Sequence, residues 1–236
     1  MILITRPRNK SLKLINKLED HDVGYHCDSL FSFSNKKTNL NLNEFSDCII
    51  VSSQAVEVLK KNYRNKIKLL NKLKVHVIGS EVKKKLKEIG IFNIKNTAKD
   101  SSELIKYFKD KNLEKNKFCY LGSNIENTKL LNDLNLLNIN YKKICLYYVV
   151  PKKKFLLSTI SLMKREKITA VLIYSTFTAQ RYLQLVDDAS LRNKVSRIKY
   201  FCLSKEISKT LQKGGYKNVI FSNTPTEKSL LKKVLD

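Results

Sequence analysis

The sequence predicts an α/β protein of two parallel-sheet domains, one inserted into the other. Three observations carry this. Short apolar strands alternate with amphipathic helices along the whole chain, the pattern of βα units and parallel pairing. Segments of the two halves repeat, in exchanged order. A strand-like stretch at residues 144–151 (Ile-Cys-Leu-Tyr-Tyr-Val-Val-Pro) stands after one βα series and before another. Its β-branched and aromatic residues, ended by proline, read as a bridge between two bodies. Residues 28–34 read as the return bridge, and the groove beside the two is the expected seat of function.

Residues 2–5 read as a strand, 9–20 as a helix with Leu12, Ile15 and Leu18 on one face, and 23–27 as a strand. After the polar loop 35–43, strand 48–51 leads into helices 54–63 and 66–72. Strand 75–78 precedes helix 81–89, which Gly90 ends as a left-handed cap. Strand 91–94 is followed by a helix capped by Ser101, with Leu104, Ile105 and Phe108 inward. Strand 118–121, helix 125–137 and a strand starting at Tyr141 complete this series. Beyond Pro151 come helix 155–165, strand 170–174, helices 178–185 and 189–195, strand 199–203, helix 205–213, strand 218–221 and helix 227–234.

Residues 77–94 lie over 202–219 without a gap, a register that sets Ser101 on Thr226. Residues 130–141 lie over 14–25, a register that sets Tyr147 on Phe31. The end of the middle body thus resembles the beginning of the chain. The expected partition is a discontinuous domain of residues 1–34 plus 152–236 and an inserted domain of residues 36–149, so two bridges are obligatory.

At 236 residues the chain is close to the ~250 at which single cores split. No apolar run approaches the ~20 residues of a membrane span, and the apolar residues of the first ten precede the basic ones, opposite to a signal peptide. A soluble, cytoplasmic monomer is expected, with no membrane partner. Cys27, Cys48, Cys119, Cys145 and Cys202 are odd in number and lack Cys-x-x-Cys spacing, so they read as buried reduced thiols. His21, His26 and His76 are scattered, and no metal is implied. The net charge of +25 comes mostly from lysines spread over every predicted helix in an Asn-rich chain, as an AT-rich genome would give. Such a field attracts polyanions. A nucleic-acid binder would interleave basic residues with exposed aromatics, whereas the aromatics here fall mostly in strands, so no nucleic-acid partner is expected.

Ligands of parallel α/β sheets bind beyond the carboxyl ends of strands, where loops meet helix N-termini. Here those loops offer Arg6, Ser52, Ser53, Gly79, Ser80, Gly122, Ser123, Ser175, Thr176, Ser204 and Lys205. They are small and hydroxyl-rich, and their backbone N–H groups suit anions; each serine, taken singly, also reads as a simple helix cap. Gly79 and Gly122 stand where a missing side chain admits a ligand to the backbone. No Gly-x-Gly-x-x-Gly, Walker or Gly-x-Ser-x-Gly run is present, so neither nucleotide binding nor hydrolase chemistry has a motif.

In order along the chain, Ile2-Leu-Ile-Thr-Arg-Pro7, Asp47-Cys-Ile-Ile-Val-Ser-Ser-Gln-Ala-Val56, Val77-Ile-Gly79, Leu121-Gly122, Leu146-Tyr147, Ile173-Tyr-Ser175 and Ser222-Asn-Thr-Pro-Thr226 resemble the uroporphyrinogen-III synthase family. The resemblance runs the full chain and rests on order and spacing. It implies two flavodoxin-like α/β domains joined by a two-stranded linker. It implies an enzyme that takes hydroxymethylbilane, a linear tetrapyrrole octacarboxylate, expels its terminal hydroxyl, inverts the last ring through a spiro intermediate and closes the macrocycle, with no cofactor. The family's candidate acid, the bridge tyrosine, falls on Tyr147. Two departures bear on particular contacts: Val51 stands where a threonine is usual, and the later Thr-rich turn is Ser204-Lys-Glu-Ile207, with Glu206 an awkward neighbour for an anion. A non-enzymatic bilobed protein binding a small polyanion would share the hinge and groove and have no need of Tyr147.

Overall fold

A computed structural model describes residues 1–125, 127–224 and 226–235. Glu126, in the helix expected at 125–137, and Pro225, in the motif at 222–226, lie outside the described residues. In chain order the first elements are β1 (Ile2–Ile4), α1 (Leu12–Glu19), β2 (Tyr25–Cys27), β3 (Phe31–Asn35), β4 (Asp47–Ile50), α2 (Ser53–Asn62), α3 (Ile67–Leu70) and β5 (Lys74–Ile78). Then come α4 (Ser80–Glu88), β6 (Ile94–Ala98), α5 (Ser101–Asp110), β7 (Lys117–Ser123), α6 (Thr128–Leu136) and β8 (Asn140–Pro151). The remainder is α7 (Leu157–Lys164), β9 (Ala170–Ile173), α8 (Thr176–Asp188), α9 (Arg192–Val195), β10 (Lys199–Cys202), α10 (Lys205–Lys213), β11 (Val219–Phe221) and α11 (Glu227–Leu235).

The chain divides into two compact units, Met1–Ser32 with Val150–Asp236, and Phe33–Val149. It passes between them twice, in β3 and in β8. The first unit holds a five-stranded sheet in the order β11-β10-β9-β1-β2, parallel throughout. The second holds a sheet in the order β3-β8-β7-β4-β5-β6, parallel from β8 to β6. The exchanged-order repeat is visible element by element. β10-α10-β11-α11 falls on β5-α4-β6-α5, and β1-α1-β2 falls on β7-α6-β8. The order of the five-stranded sheet recurs within the six-stranded one.

Strand alternation sorts side chains onto the two faces of each sheet. In the second unit Cys48, Ile50, Val75 and Val77 pack against α2 and α4 residues on one face, while Ile49, Phe118 and Tyr120 meet Leu104, Phe108, Leu130 and Leu134 on the other. In the first unit Ile2, Ile4, Ala170, Leu172 and Phe201 enclose Leu14, Ile15, Leu18 and Leu230.

Several local expectations shift for identifiable reasons. A 3-10 turn, Arg8–Lys10, precedes α1 and rotates its inward face to Leu14, Ile15 and Leu18, leaving Leu12 exposed. The strand expected at 91–94 begins only at Ile94. Gly90 (φ 89°) ends α4, and Ile91 N–H closes onto Leu86 O at 2.9 Å, so Ile91 belongs to the helix stop. Gly215 and Tyr216, bonded to Leu211 O, repeat this stop after α10. α5 is capped by Asp100, which accepts from Glu103 N–H at 3.0 Å, one residue ahead of Ser101. All five cysteines are free; Cys48, Cys119 and Cys202 are buried, Cys27 and Cys145 half-buried.

A buried polar pair fixes the amino-terminal edge of the second sheet. Asp47, fully buried, accepts from His76 Nε2 (2.8 Å), Ser46 Oγ (2.7 Å) and Asn116 Nδ2 (2.8 Å). Burial pushes its carboxyl up, but bonds from His76 and Ser46 and nearby positive charge outweigh that and hold it below 3.8.

Two measurements check these arrangements. Residues 36–149 should fold alone, whereas 152–236 should not. The latter lacks β1, which stands between β9 and β2, and loses Ile2, Ile4, Leu14, Ile15 and Leu18 from its core. At ~1.5–3 kcal/mol per buried aliphatic side chain that loss rivals a domain's whole stability of ~5–15 kcal/mol; a cooperative thermal transition in fragment 152–236 would contradict this. In the full chain Asp47→Ala should destabilise by about 3–5 kcal/mol at neutral pH, as loss of one member of a buried pair does. Because the folded-state value is depressed, Asp47's contribution is present above its unfolded value and lost as pH falls through the folded one. Denaturant titrations should therefore show the gap between wild type and variant narrowing below about pH 4.

Candidate functional site

Parallel pairing places the carboxyl ends of each sheet's strands along one edge. In the second unit the adjacent strands β7, β4 and β5 end there in Gly122-Ser123, Ser52-Ser53 and Gly79-Ser80. In the first, the adjacent strands β1, β9 and β10 end in Arg6, Ser175-Thr176 and Ser204-Lys205.

Three of these six serines are helix caps. Ser52 accepts from Gln54 N–H (3.1 Å), Ser175 from Thr178 N–H (3.0 Å) and Ser204 from Ile207 N–H (3.5 Å). Ser53, Ser80, Thr176 and Lys205 are first residues of helices, whose opening N–H groups lie outside the intrahelical ladder. Gly79 precedes α4 at φ 93°, a backbone that side chains rarely adopt, and the space around it is open. Gly122 is glycine for a different reason: a Cβ there would meet the Tyr120 ring at 3.0 Å.

Arg6 is heavily engaged. Its guanidinium pairs with Glu227, Nε donates to Ser11 Oγ (3.0 Å), and the group lies 4.3 Å over the Tyr174 ring. Burial pushes the Tyr174 phenol up to about 12 while the Arg6 charge opposes the shift, and the phenolic oxygen is buried without a hydrogen-bond partner among the described residues.

The most specific constellation surrounds Tyr147, only 4% exposed. β8 pairs with β7 in regular register through Cys145 opposite Gly122, then skips so that Tyr147 faces Ser123. A bulge of this kind re-aims a side chain; Leu146 and Tyr147, consecutive residues, both enter the same core. The phenol of Tyr147 shares a 2.9 Å hydrogen bond with Ser52 Oγ, and its ring meets Phe33 edge-on at 6.0 Å. Asn124 clamps the strand beyond: its N–H donates to Tyr147 O (3.2 Å), Oδ1 accepts from Val149 N–H (2.7 Å) and Nδ2 donates to Val149 O (3.4 Å). Burial raises the Tyr147 phenol above 10.0, with the Ser52 and Ser123 hydroxyls pulling it part of the way back. Tyr148 is 38% exposed, with Lys36 Nζ 5.6 Å from its ring centroid.

Ser52, Ser123 and Tyr147 are therefore brought together, with Gly122 beside them and Gly79-Ser80 on the neighbouring strand end. In the first unit Arg6, Ser175-Thr176 and Ser204-Lys205 share an edge. Asn124 was legible only as a loop residue. Glu227 gave no signal, its partner being far away in the sequence.

Residues 14–232 match the sequence profile of the family described as "Uroporphyrinogen-III synthase HemD". The chain belongs to the uroporphyrinogen-III synthase family. The fold agrees. Uroporphyrinogen-III synthetase from Helicobacter pylori superposes with a TM-score of 0.70 at 18% identity, over 99% of this chain and 97% of that one. A mutant uroporphyrinogen III synthase from the extremely thermophilic bacterium Thermus thermophilus superposes with a TM-score of 0.62 at 14% identity, over 99% and 96%. Comparison with curated protein sequences finds no match. As a member of the uroporphyrinogen-III synthase family, the protein is a cyclising hydro-lyase of haem biosynthesis acting on a small-molecule tetrapyrrole. Among the described residues no helix is long and apolar enough to cross a membrane, and no group of His, Cys, Asp and Glu side chains is arranged to hold a metal ion.

Proposed function

We propose that Tyr147 is the general acid of hydroxymethylbilane cyclisation and that the strand-end loops hold the substrate's carboxylates. The observation that carries the reading is the 2.9 Å hydrogen bond between the Tyr147 phenol and Ser52 Oγ, at the carboxyl end of β4. A phenol raised above its ordinary value is protonated at neutral pH and can donate. As the substrate's terminal C–O bond breaks, the proton passes to the departing oxygen, water leaves, and positive charge develops on the terminal pyrrole. Ser52 can then donate to the phenolate oxygen, which otherwise would be a poorly solvated charge. Ring inversion and closure release a proton from the reacting pyrrole carbon, which can return to the phenolate. The net change is loss of one water.

The carboxylates would be held by first-turn N–H groups and hydroxyls at Ser52, Ser53, Gly79, Ser80, Gly122, Ser123, Ser175, Thr176 and Ser204, with Lys205 adding charge. Arg6 would contribute by sharing its guanidinium with Glu227. Catalysis on this reading is positioning and charge stabilisation. The enzyme is read as a cytoplasmic monomer working without a cofactor.

The purified protein should convert hydroxymethylbilane to the type III isomer without added metal or cofactor; only the type I isomer, the product of spontaneous closure, would refute the activity. Tyr147→Phe should lower kcat by about 10²-fold, the lower end for loss of a general acid, with an unchanged melting temperature. Tyr148→Phe should retain near wild-type kcat. Equal turnover of the two variants would make Tyr147 a packing residue.

A further inference from the structure

A second polar surface adjoins Tyr147 within the same unit. A cavity of about 440 Å³ runs along the outward face of α2, with Phe33, Gln54, Glu57, Lys60, Lys61 and Arg64 in its walls. Two of these residues tie it to the candidate site. Phe33 meets the Tyr147 ring on one side and keeps 37% of its surface exposed, and Gln54 N–H is bonded to the same Ser52 hydroxyl that bonds the Tyr147 phenol. The volume lies within the ~300–1,000 Å³ of small-molecule sites.

The groove is cationic. Against Lys60, Lys61 and Arg64 stands one acid, Glu57, whose carboxylate is 2.9 Å from Lys85 Nζ. Lys60 and Lys61 lie in the last turn of α2, where cations complement the helix dipole. The dipole alone does not account for the cavity. An aromatic surface, Phe33, stands in the same walls as cations ~10 Å along the helix from Gln54, a combination that suits an aromatic ring bearing carboxylate arms.

We infer that this groove is a subsite for one acid-bearing pyrrole of the tetrapyrrole substrate, with the ring against Phe33 and its carboxylates toward Lys60, Lys61 and Arg64. The inference rests on the proposed activity and adds to it a specific electrostatic anchor outside the strand-end loops. Its work is substrate positioning: the cations touch substituents remote from the reacting carbon, so their removal should weaken binding more than turnover.

The test compares two triple variants of the full-length enzyme that lower the net charge equally. Lys60→Gln/Lys61→Gln/Arg64→Gln alters the groove; Lys106→Gln/Lys109→Gln/Lys111→Gln alters exposed lysines at and just beyond the end of α5 in the same unit. The groove variant should raise KM for hydroxymethylbilane about tenfold, as three partly screened charge contacts would, with kcat within about twofold. Its dissociation constant for uroporphyrin III, a stable octacarboxylate read by fluorescence quenching, should rise in parallel, and both quantities should lose part of their salt dependence. The α5 variant should change neither by more than about twofold. Equal shifts in the two variants would reduce the effect to the general positive field and overturn the subsite. Unchanged KM and uroporphyrin binding in the groove variant, with wild type still making the type III isomer, would overturn the subsite alone. A wild-type protein that makes only the type I isomer would remove the underlying activity, and the uroporphyrin titration would still decide whether the groove binds carboxylates.

Discussion

The structure depends on one pairing: β1, from the start of the chain, lies between β9 and β2 in the first sheet. Parallel strands cannot be joined by a tight turn, and β1 and β9 are separated by the whole second unit. The first core closes only when residues from both ends of the sequence meet. The chain must therefore leave that unit once and return once, and β3 and β8 are those passages. At the first unit's end of the passages, fully buried Asp28 accepts from Lys152 Nζ (3.1 Å), Leu156 N–H (2.8 Å) and Thr159 Oγ1 (2.8 Å). One carboxylate thus ties the outgoing segment to the returning one.

Tyr147 lies on the return passage, and separate contacts hold it in place. The bulge turns it inward, the Leu146 and Ile144 side chains bury the strand beside it, and Asn124 holds the next residues by imitating a further strand. These are backbone and packing constraints that involve the phenol only at its tip. Its hydroxyl meets Ser52, itself fixed by capping α2. In the proposed role, a side chain held on both strand and tip would keep its donor direction through the reaction without reorganisation, which is the condition under which a preorganised group stabilises a transition state.

The order of strands and helices was legible because hydrophobic periodicity survives in a lysine-rich chain, and the exchanged-order repeat was legible because both halves keep the same Gly-centred helix stop, at Gly90 and Gly215. What was not legible depends on distant residues or on broken periodicity. Strict alternation separates Tyr147 from Leu146, and only the register skip against β7 brings both inward. Asp47 opens its strand and would pass for a surface residue were it not for His76 and Asn116, from other segments. Arg6 looked like an exposed carboxylate ligand; its Glu227 pair and its place over Tyr174 come from the far end of the chain.

These engagements bear on how a +25 chain could recognise an octacarboxylate without binding every anion. At the strand ends the groups on offer are backbone N–H, small hydroxyls and an arginine already facing a carboxylate, which favour placement over bulk attraction. Apart from the groove beside α2, the helix faces carry diffuse charge that salt screens beyond about 8 Å. Long-range attraction can therefore raise the encounter rate while short, directed donors set the geometry. On the proposed reading, a substrate with acids on every ring would be sorted by where its carboxylates can reach such donors together, and that selection would fix which ring stands beside Tyr147 when the terminal hydroxyl departs.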